Sequence, residues 1–204
     1  MGTRERILDA SLELFNQEGT AAISALTIAT SLGISPGNLY YHFRGKEEIL
    51  AALLAECDLA LARLYRRMDQ ELNTPVDFEA FLLSLLRVGH HFRCLFRDQE
   101  ALRFGQPGLA QTWRRQLRQI RQISQLLLKR LDRLTPLGIP EEERNRLADS
   151  LMLSALASLC FELDPERDSE TQLLLSARCL LTLLQPYLPE PTPLLAQQEP
   201  LSNH

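Results

Sequence analysis

Residues 24–46, SALTIATSLGISPGNLYYHFRGK, read as two short helices joined by a tight turn. Ser24 stands where an N-cap belongs, which predicts a helix from about Ala25 to Leu32, and Gly33 supplies the backbone freedom that ends it. Ser35 caps the second helix, with Pro36 in the first helical position, where its missing N–H costs nothing. That helix runs to about Phe43, and the pair has the grammar of a helix-turn-helix. Ile28, Ala29, Leu32, Ile34 and Leu39 supply the packing faces. Pro36, Gly37, Asn38, Tyr40, Tyr41 and His42 are left at the start and outer side of the second helix, where side chains can reach a groove. From Gly19 to Lys46 the only charged residues are Arg44 and Lys46, so the segment is basic inside a chain of net charge -4.

Working outward, apolar positions recur at helical spacing nearly everywhere and alternating β-branched runs are absent, so the chain reads as all-α with about nine helices. Upstream, Ile7, Leu8, Ser11, Leu14 and Phe15 share one face of a first helix that Gly19 terminates. Downstream, a long fourth helix is predicted from Lys46 to about Leu72, and a fifth from about 76 to 97 with Phe78, Phe81, Leu82, Leu85, Gly89, Phe92 and Phe96 on one stripe. A short sixth precedes Gly105. The seventh, from Leu109 to Leu134, sets an apolar stripe opposite most of its arginines. An eighth spans Glu141 to Leu163, its acidic first turn suited to the helix dipole. A ninth starts at a capping box of Ser169 and Gln172 and ends near Leu188. These elements predict a helix-turn-helix domain over 1–46, a helical bundle over 47–188, and a disordered proline-containing tail over 189–204.

Composition excludes several classes. The 22 Lys and Arg against 26 Asp and Glu give no global polycation, so any nucleic-acid contact must be local. The first apolar stretch is broken by charges and does not read as a signal peptide. No apolar run approaches the roughly 20 residues of a membrane span. Cys57, Cys94, Cys160 and Cys179 contain no CxxC pair, which argues against a zinc site and suits a reducing cytoplasm.

RERILDASLELFNQEG (4–19) followed by LTIATSLGISPGNLYYHFRGKEEIL (26–50) resembles the DNA-binding domain of TetR/AcrR-type transcriptional regulators in order, spacing and residue type. The resemblance implies that Pro36, Gly37 and Asn38 face base edges, and that Tyr40, Tyr41 and His42 contact phosphates or thymine methyls. It further implies that Ser24 and Lys46 each hold a phosphate. Leu26 departs from the pattern: many members carry a polar residue there, and leucine cannot bond guanine O6 and N7. The implied function is that of a ligand-responsive repressor that binds a palindromic operator as a homodimer. The alternative is a helical enzyme or lipid-binding protein with a vestigial helix-turn-helix.

The rest of the chain offers candidates of a different kind. Phe81, Leu85 and Phe92, then Trp113, Leu117 and Ile120, then Met152, Leu156 and Cys160 are placed to line a largely apolar effector pocket between helices, with Ser124, His90 and the Trp113 indole as its polar groups. QLLLSARCLLTLLQPYL (172–188) is apolar almost all round, so one side packs at home and the other on a partner copy, with Leu174, Leu181 and Leu184 as interface residues. Residues 107–134 carry seven Lys or Arg against one acid. They read as the solvated side of an amphipathic helix rather than a membrane or RNA surface. His90 and Cys94 are neighbours at i, i+4, but two ligands do not make a metal site. No catalytic residue, metal or cofactor is expected.

Overall fold

In the computed structural model the described residues are 2–104, 107–161, 166 and 168–188. Among them the chain is all-α: α1 (Thr3–Glu18), α2 (Ala25–Ser31), α3 (Pro36–His42), α4 (Lys46–Glu71), α5 (Pro75–His91), α6 (Arg93–Arg97), α7 (Glu100–Phe104), α8 (Pro107–Leu134), α9 (Glu141–Ser158) and α10 (Ser169–Leu184), then a 3-10 turn over Gln185–Tyr187. The expected tail, 189–204, lies outside the described residues. The chain divides into two compact units, one of Met1–Ala62 with Val88–Arg118, the other of Arg63–Arg87 with Gln119–His204.

In the first unit, α1 buries Ile7, Leu8, Leu12 and Phe15, and Ser11 sits among them because its hydroxyl donates to the Ile7 carbonyl at 2.6 Å. Glu5 accepts the Gly2 N–H and closes the first turn. Gly19 ends the helix where the sequence predicts, at φ 90° with an extended ψ of 150°, a positive-φ turn rather than a left-handed C-cap. The start of α4 adds Ile49, Leu50, Leu53, Leu54 and Cys57 to the buried set.

The predicted fifth helix is two helices. The chain breaks at Phe92 (φ -103°, ψ 28°), and α6 begins at Arg93. The cause is Asn16 of α1, whose amide donates to the His91 carbonyl at 2.9 Å and accepts the Cys94 N–H at 3.0 Å. One side chain thus satisfies the last turn of α5 and the first of α6, as a local cap would.

The second unit centres on Met68, Leu72, Phe78, Phe81, Leu127, Leu128, Leu131, Leu137, Ala148, Leu181 and Leu184, with a smaller cluster of Leu86, Leu173, Ala177 and Leu180. Thr74 and Asp77 cap α5 reciprocally: the carboxylate accepts the Thr74 N–H at 2.8 Å and the threonine hydroxyl accepts the Asp77 N–H. Arg144 pairs with Asp132 at 2.6 Å, and Asp132 also accepts the Leu137 N–H, which fastens the α8–α9 turn. Two predicted boundaries move. α9 ends at Ser158 rather than Leu163. α10 is capped by Asp168, which accepts from the Glu170 and Thr171 N–H groups, and not by a Ser169–Gln172 box.

Candidate nucleic-acid interface

The turn between α2 and α3 is built from backbone bonds alone. The Gly33 N–H donates to the Thr30 carbonyl at 3.1 Å and the Ile34 N–H to the Ala29 carbonyl at 3.0 Å, with Gly33 at φ 64°. This is the Schellman arrangement, in which a left-handed residue lets two orphan carbonyls be met. Ser24 accepts the Thr27 N–H at 3.1 Å and Ser35 accepts the Asn38 N–H at 3.2 Å, so both helices start on the predicted caps.

Leu39, fully buried, fixes the rotation of α3. With Leu39 inward, Pro36, Gly37 and Asn38 are exposed at its first turn, and Tyr40 and Tyr41 are 53% and 85% exposed. Tyrosines so far out of the core are not part of its packing. His42 is half-buried against Tyr41, ring edge to ring face at 5.1 Å. Gly37 has no positive φ, and the nearest atom to an added Cβ is Ser35 Oγ at 4.0 Å. Neither strain nor space inside the fold requires a glycine there.

Two further placements bear on the surface. Lys46, given a phosphate by resemblance, donates its Nζ to the Thr20 carbonyl at 2.8 Å. The ammonium keeps two more donors but is tethered at the start of the α1–α2 loop. Ser24 Oγ lies 2.8 Å from Thr27 Oγ1, so the start of α2 presents a hydroxyl pair where the sequence singled out one serine. Leu26 beside them is 58% exposed.

Behind the interface lies a polar clasp that the sequence did not disclose. Arg97 of α6 donates to the Phe15 and Asn16 carbonyls at 2.9 and 3.1 Å, and Asp98 accepts the Thr20 N–H at 2.8 Å. Burial pushes the Asp98 carboxyl up, but the Arg97 guanidinium and the Thr20 N–H outweigh it and hold it below the usual aspartate value. Thr20 therefore has its N–H on Asp98 and its carbonyl on Lys46.

Residues 7–53 match the family described as bacterial regulatory proteins, tetR family, and residues 58–192 match TetR, bacterial transcriptional repressor. The chain belongs to the TetR family. It is 45% identical over 88 residues to the HTH-type transcriptional regulator SrpR of Pseudomonas putida, a stretch covering 43% of this chain and 40% of SrpR. It is 45% identical over 62 residues to UidR of Escherichia coli K12, covering 30% of this chain and 32% of UidR. The chain thus spans under half the length of these two relatives. Among solved structures, a TetR-family regulator from Marinobacter aquaeolei VT8 superposes with a TM-score of 0.75 at 30% identity over 93% of each chain. PfmR of Thermus thermophilus, at 19% identity over 88% of this chain and 97% of its own, shares the fold with a TM-score of 0.67.

In this TetR-family chain the expected pocket residues fall in separate units. His90, Phe92, Trp113 and Leu117 belong to the first, and Phe81, Leu85, Ile120, Ser124, Met152, Leu156 and Cys160 to the second. Phe81, Phe92 and Trp113 are buried, and the others are half-buried. The interface assignment needs correction. Leu181 and Leu184 are 1% and 0% exposed within their own unit's core, so they have no surface to offer a partner. A helix apolar on every side does not say in sequence which side its own bundle takes. Here the outward residues of α10 include Cys179, Thr182 and Leu183, with Leu174 and Leu175 half-buried, and those of α9 include Leu153 and Ala157.

Among the described residues no cluster of three or more His, Cys, Asp or Glu could hold a metal, and no helix is long and apolar enough to cross a membrane.

Proposed function

We propose that this protein is a ligand-responsive transcriptional repressor that acts in the cytoplasm. It binds a palindromic operator as a homodimer and is released by a small, largely apolar effector. The observation that carries the reading is the rotation of α3: buried Leu39 leaves Pro36, Gly37, Asn38, Tyr40 and Tyr41 outward on a helix whose start is fixed by Ser35. Pro36, Gly37 and Asn38 meet base edges, and Tyr41, His42, Ser24 and Lys46 meet the backbone. A second copy covers the outward apolar residues of α9 and α10, Leu153 and Leu183 among them, and the two-fold axis repeats the recognition helix along the duplex.

The effector binds in the helical region after the helix-turn-helix. It releases DNA only by binding the DNA-incompetent arrangement more tightly, since equal affinity for both shifts nothing. Selection from a random duplex library tests the DNA half: an enriched inverted repeat is the expected result, and enrichment of no sequence or of an asymmetric one overturns it. Release of that repeat by apolar compounds tests the effector half.

A further inference from the structure

Arg4 stands exposed in the first turn of α1, and the residues one turn further along its side of the helix, Ile7 and Leu8, are buried apolar ones. No carboxylate therefore stands at i+3 or i+4 to take its charge. The adjacent carboxylate, Glu5, is turned to the Gly2 N–H at 2.8 Å. Among the described residues the Arg4 guanidinium has no ion pair or hydrogen bond. It lies instead over the Phe43 ring, 4.9 Å from the ring centroid. Phe43 is the C-terminal cap of α3 and is 1% exposed. Burial fixes the ring, and the ring holds the guanidinium at the end of that helix. Such a contact engages the face of the guanidinium and leaves the N–H groups along its edge unspent.

The end of α3 is also where a duplex brings its phosphates. α3 has seven residues and is about 10 Å long at 1.5 Å per residue. The major groove of B-DNA is about 12 Å wide. A helix that enters by its first turn, with Pro36, Gly37 and Asn38 at base edges, leaves its last turn at the level of the groove wall. Of the other cations near this surface, Lys46 is tethered to the Thr20 carbonyl. Arg4 is held by a ring alone.

We infer that Arg4 is a further DNA-backbone contact: seated on Phe43 at the far end of α3, its guanidinium clamps a phosphate on the wall of the groove that α3 enters. This deepens the repressor reading above, on which it rests, by adding a residue of α1 that lies outside the helix-turn-helix. The planar fork matches two phosphate oxygens, and the ring holds it in place before DNA arrives, so little side-chain freedom is lost on binding. A phosphate contact positions the protein and carries no sequence information of its own.

The test is operator affinity by fluorescence anisotropy over a series of salt concentrations, for the full native chain, Arg4→Gln, Arg4→Lys and Arg6→Gln. Arg6 is the control, because it is equally exposed on α1 but lies about 200° round the helix from Arg4. A homodimer carries the contact twice, so Arg4→Gln should flatten the slope of log K against log salt by about 1.8, two phosphates at roughly 0.9 each. It should also weaken the selected repeat and its single-base variants by the same factor. Arg4→Lys keeps the charge but not the fork, and should retain the native slope at lower affinity. Arg6→Gln should match the native chain. An unchanged slope for Arg4→Gln overturns the inference and leaves the stack on Phe43 as packing, whatever the melting temperature does. Equal flattening by Arg4→Gln and Arg6→Gln overturns it too, since only the net charge of α1 would then matter, and so does a loss confined to one base pair. A native chain that binds no duplex brings down the repressor reading itself, whereas a failure at Arg4 in a chain that binds its repeat leaves that reading standing.

Discussion

The α2–α3 turn and the α5–α6 junction both interrupt helical chain, yet one is closed by its own residues and the other from afar. Ser24, Gly33 and Ser35 lie within the helix-turn-helix they shape, and every bond of its turn spans five residues or fewer. The junction at Phe92 is held by Asn16, and the same end of α1 is gripped by Arg97. Locally closed structure is independent of its surroundings and legible in order along the chain. Remotely closed structure couples two elements, and so has the means to transmit.

The largest effect tests remote determination at its strongest. Leu181 and Leu183 are two residues apart on α10, one inside the second unit's core and the other 43% exposed. Leu181→Lys puts an unpaired charge in the core and should cost more than about 4 kcal/mol, enough to abolish a cooperative melt. Leu183→Lys should keep its melt and yield a monomer by light scattering. Equal behaviour of the two would mean that the faces of α10 are misassigned.

Next in size is the clasp. Arg97→Ala removes charge-assisted bonds to two carbonyls and should destabilise the chain by about 2 kcal/mol, a figure already moderated by the partial exposure of the guanidinium. Asp98 adds a pH signature. Its lowered pKa means that its contribution is complete near neutral pH, begins to fade as the pH falls below about 4, and is gone below the folded-state value. Urea melts of Asp98→Asn should therefore show a shallower acid decline than the native chain. An unchanged acid limb would remove Asp98 from the clasp.

These cases mark what the sequence discloses. Helices α1 to α4 were readable to within a residue or so, because their caps, punctuation and apolar faces are adjacent in the chain. The outward set on α3 was readable for the same reason: one buried leucine fixes the rotation of a seven-residue helix. The break at Phe92 was not, since nothing near it differs from a continuous apolar stripe and the determining amide is Asn16. The buried side of α10 was hidden because leucines surround the helix. Gln116 was passed over as one polar letter in an arginine- and glutamine-rich run, and only burial separates it from its solvated neighbours Gln111, Gln119 and Gln122. Lys46 was legible as basic but not as a ligand of Thr20.

On the locally closed side the effects are smaller. Ser35→Ala removes the N-cap of α3 and should cost about 1 kcal/mol, measured by urea denaturation, with no long-range consequence. Operator affinity should fall by more than the stability loss alone predicts, because the cap also sets the angle at which Pro36, Gly37 and Asn38 leave the turn. A fall matching Ser24→Ala in both readouts would mean that the two helices contribute alike and that α3 is not the privileged reader.

The smallest effect on the fold is Gly37→Ala, and it separates a structural glycine from one shaped by a partner. Gly37 is helical, needs no positive φ, and has room for a methyl with the nearest atom at 4.0 Å. On helix propensity alone, alanine should leave stability unchanged or raise it by up to about 0.5 kcal/mol, the small value reflecting a position in the first turn. Without a partner, then, glycine is the worse choice. Its presence is accounted for if the backbone at 37 approaches base edges so closely that a Cβ intrudes. The expected pairing is a melting temperature at or above native and an operator affinity lowered at least about tenfold, read by fluorescence anisotropy on the selected repeat. Native affinity with raised stability would show that nothing approaches α3 at this turn, and the recognition surface would move along the helix to Tyr40, Tyr41 and His42.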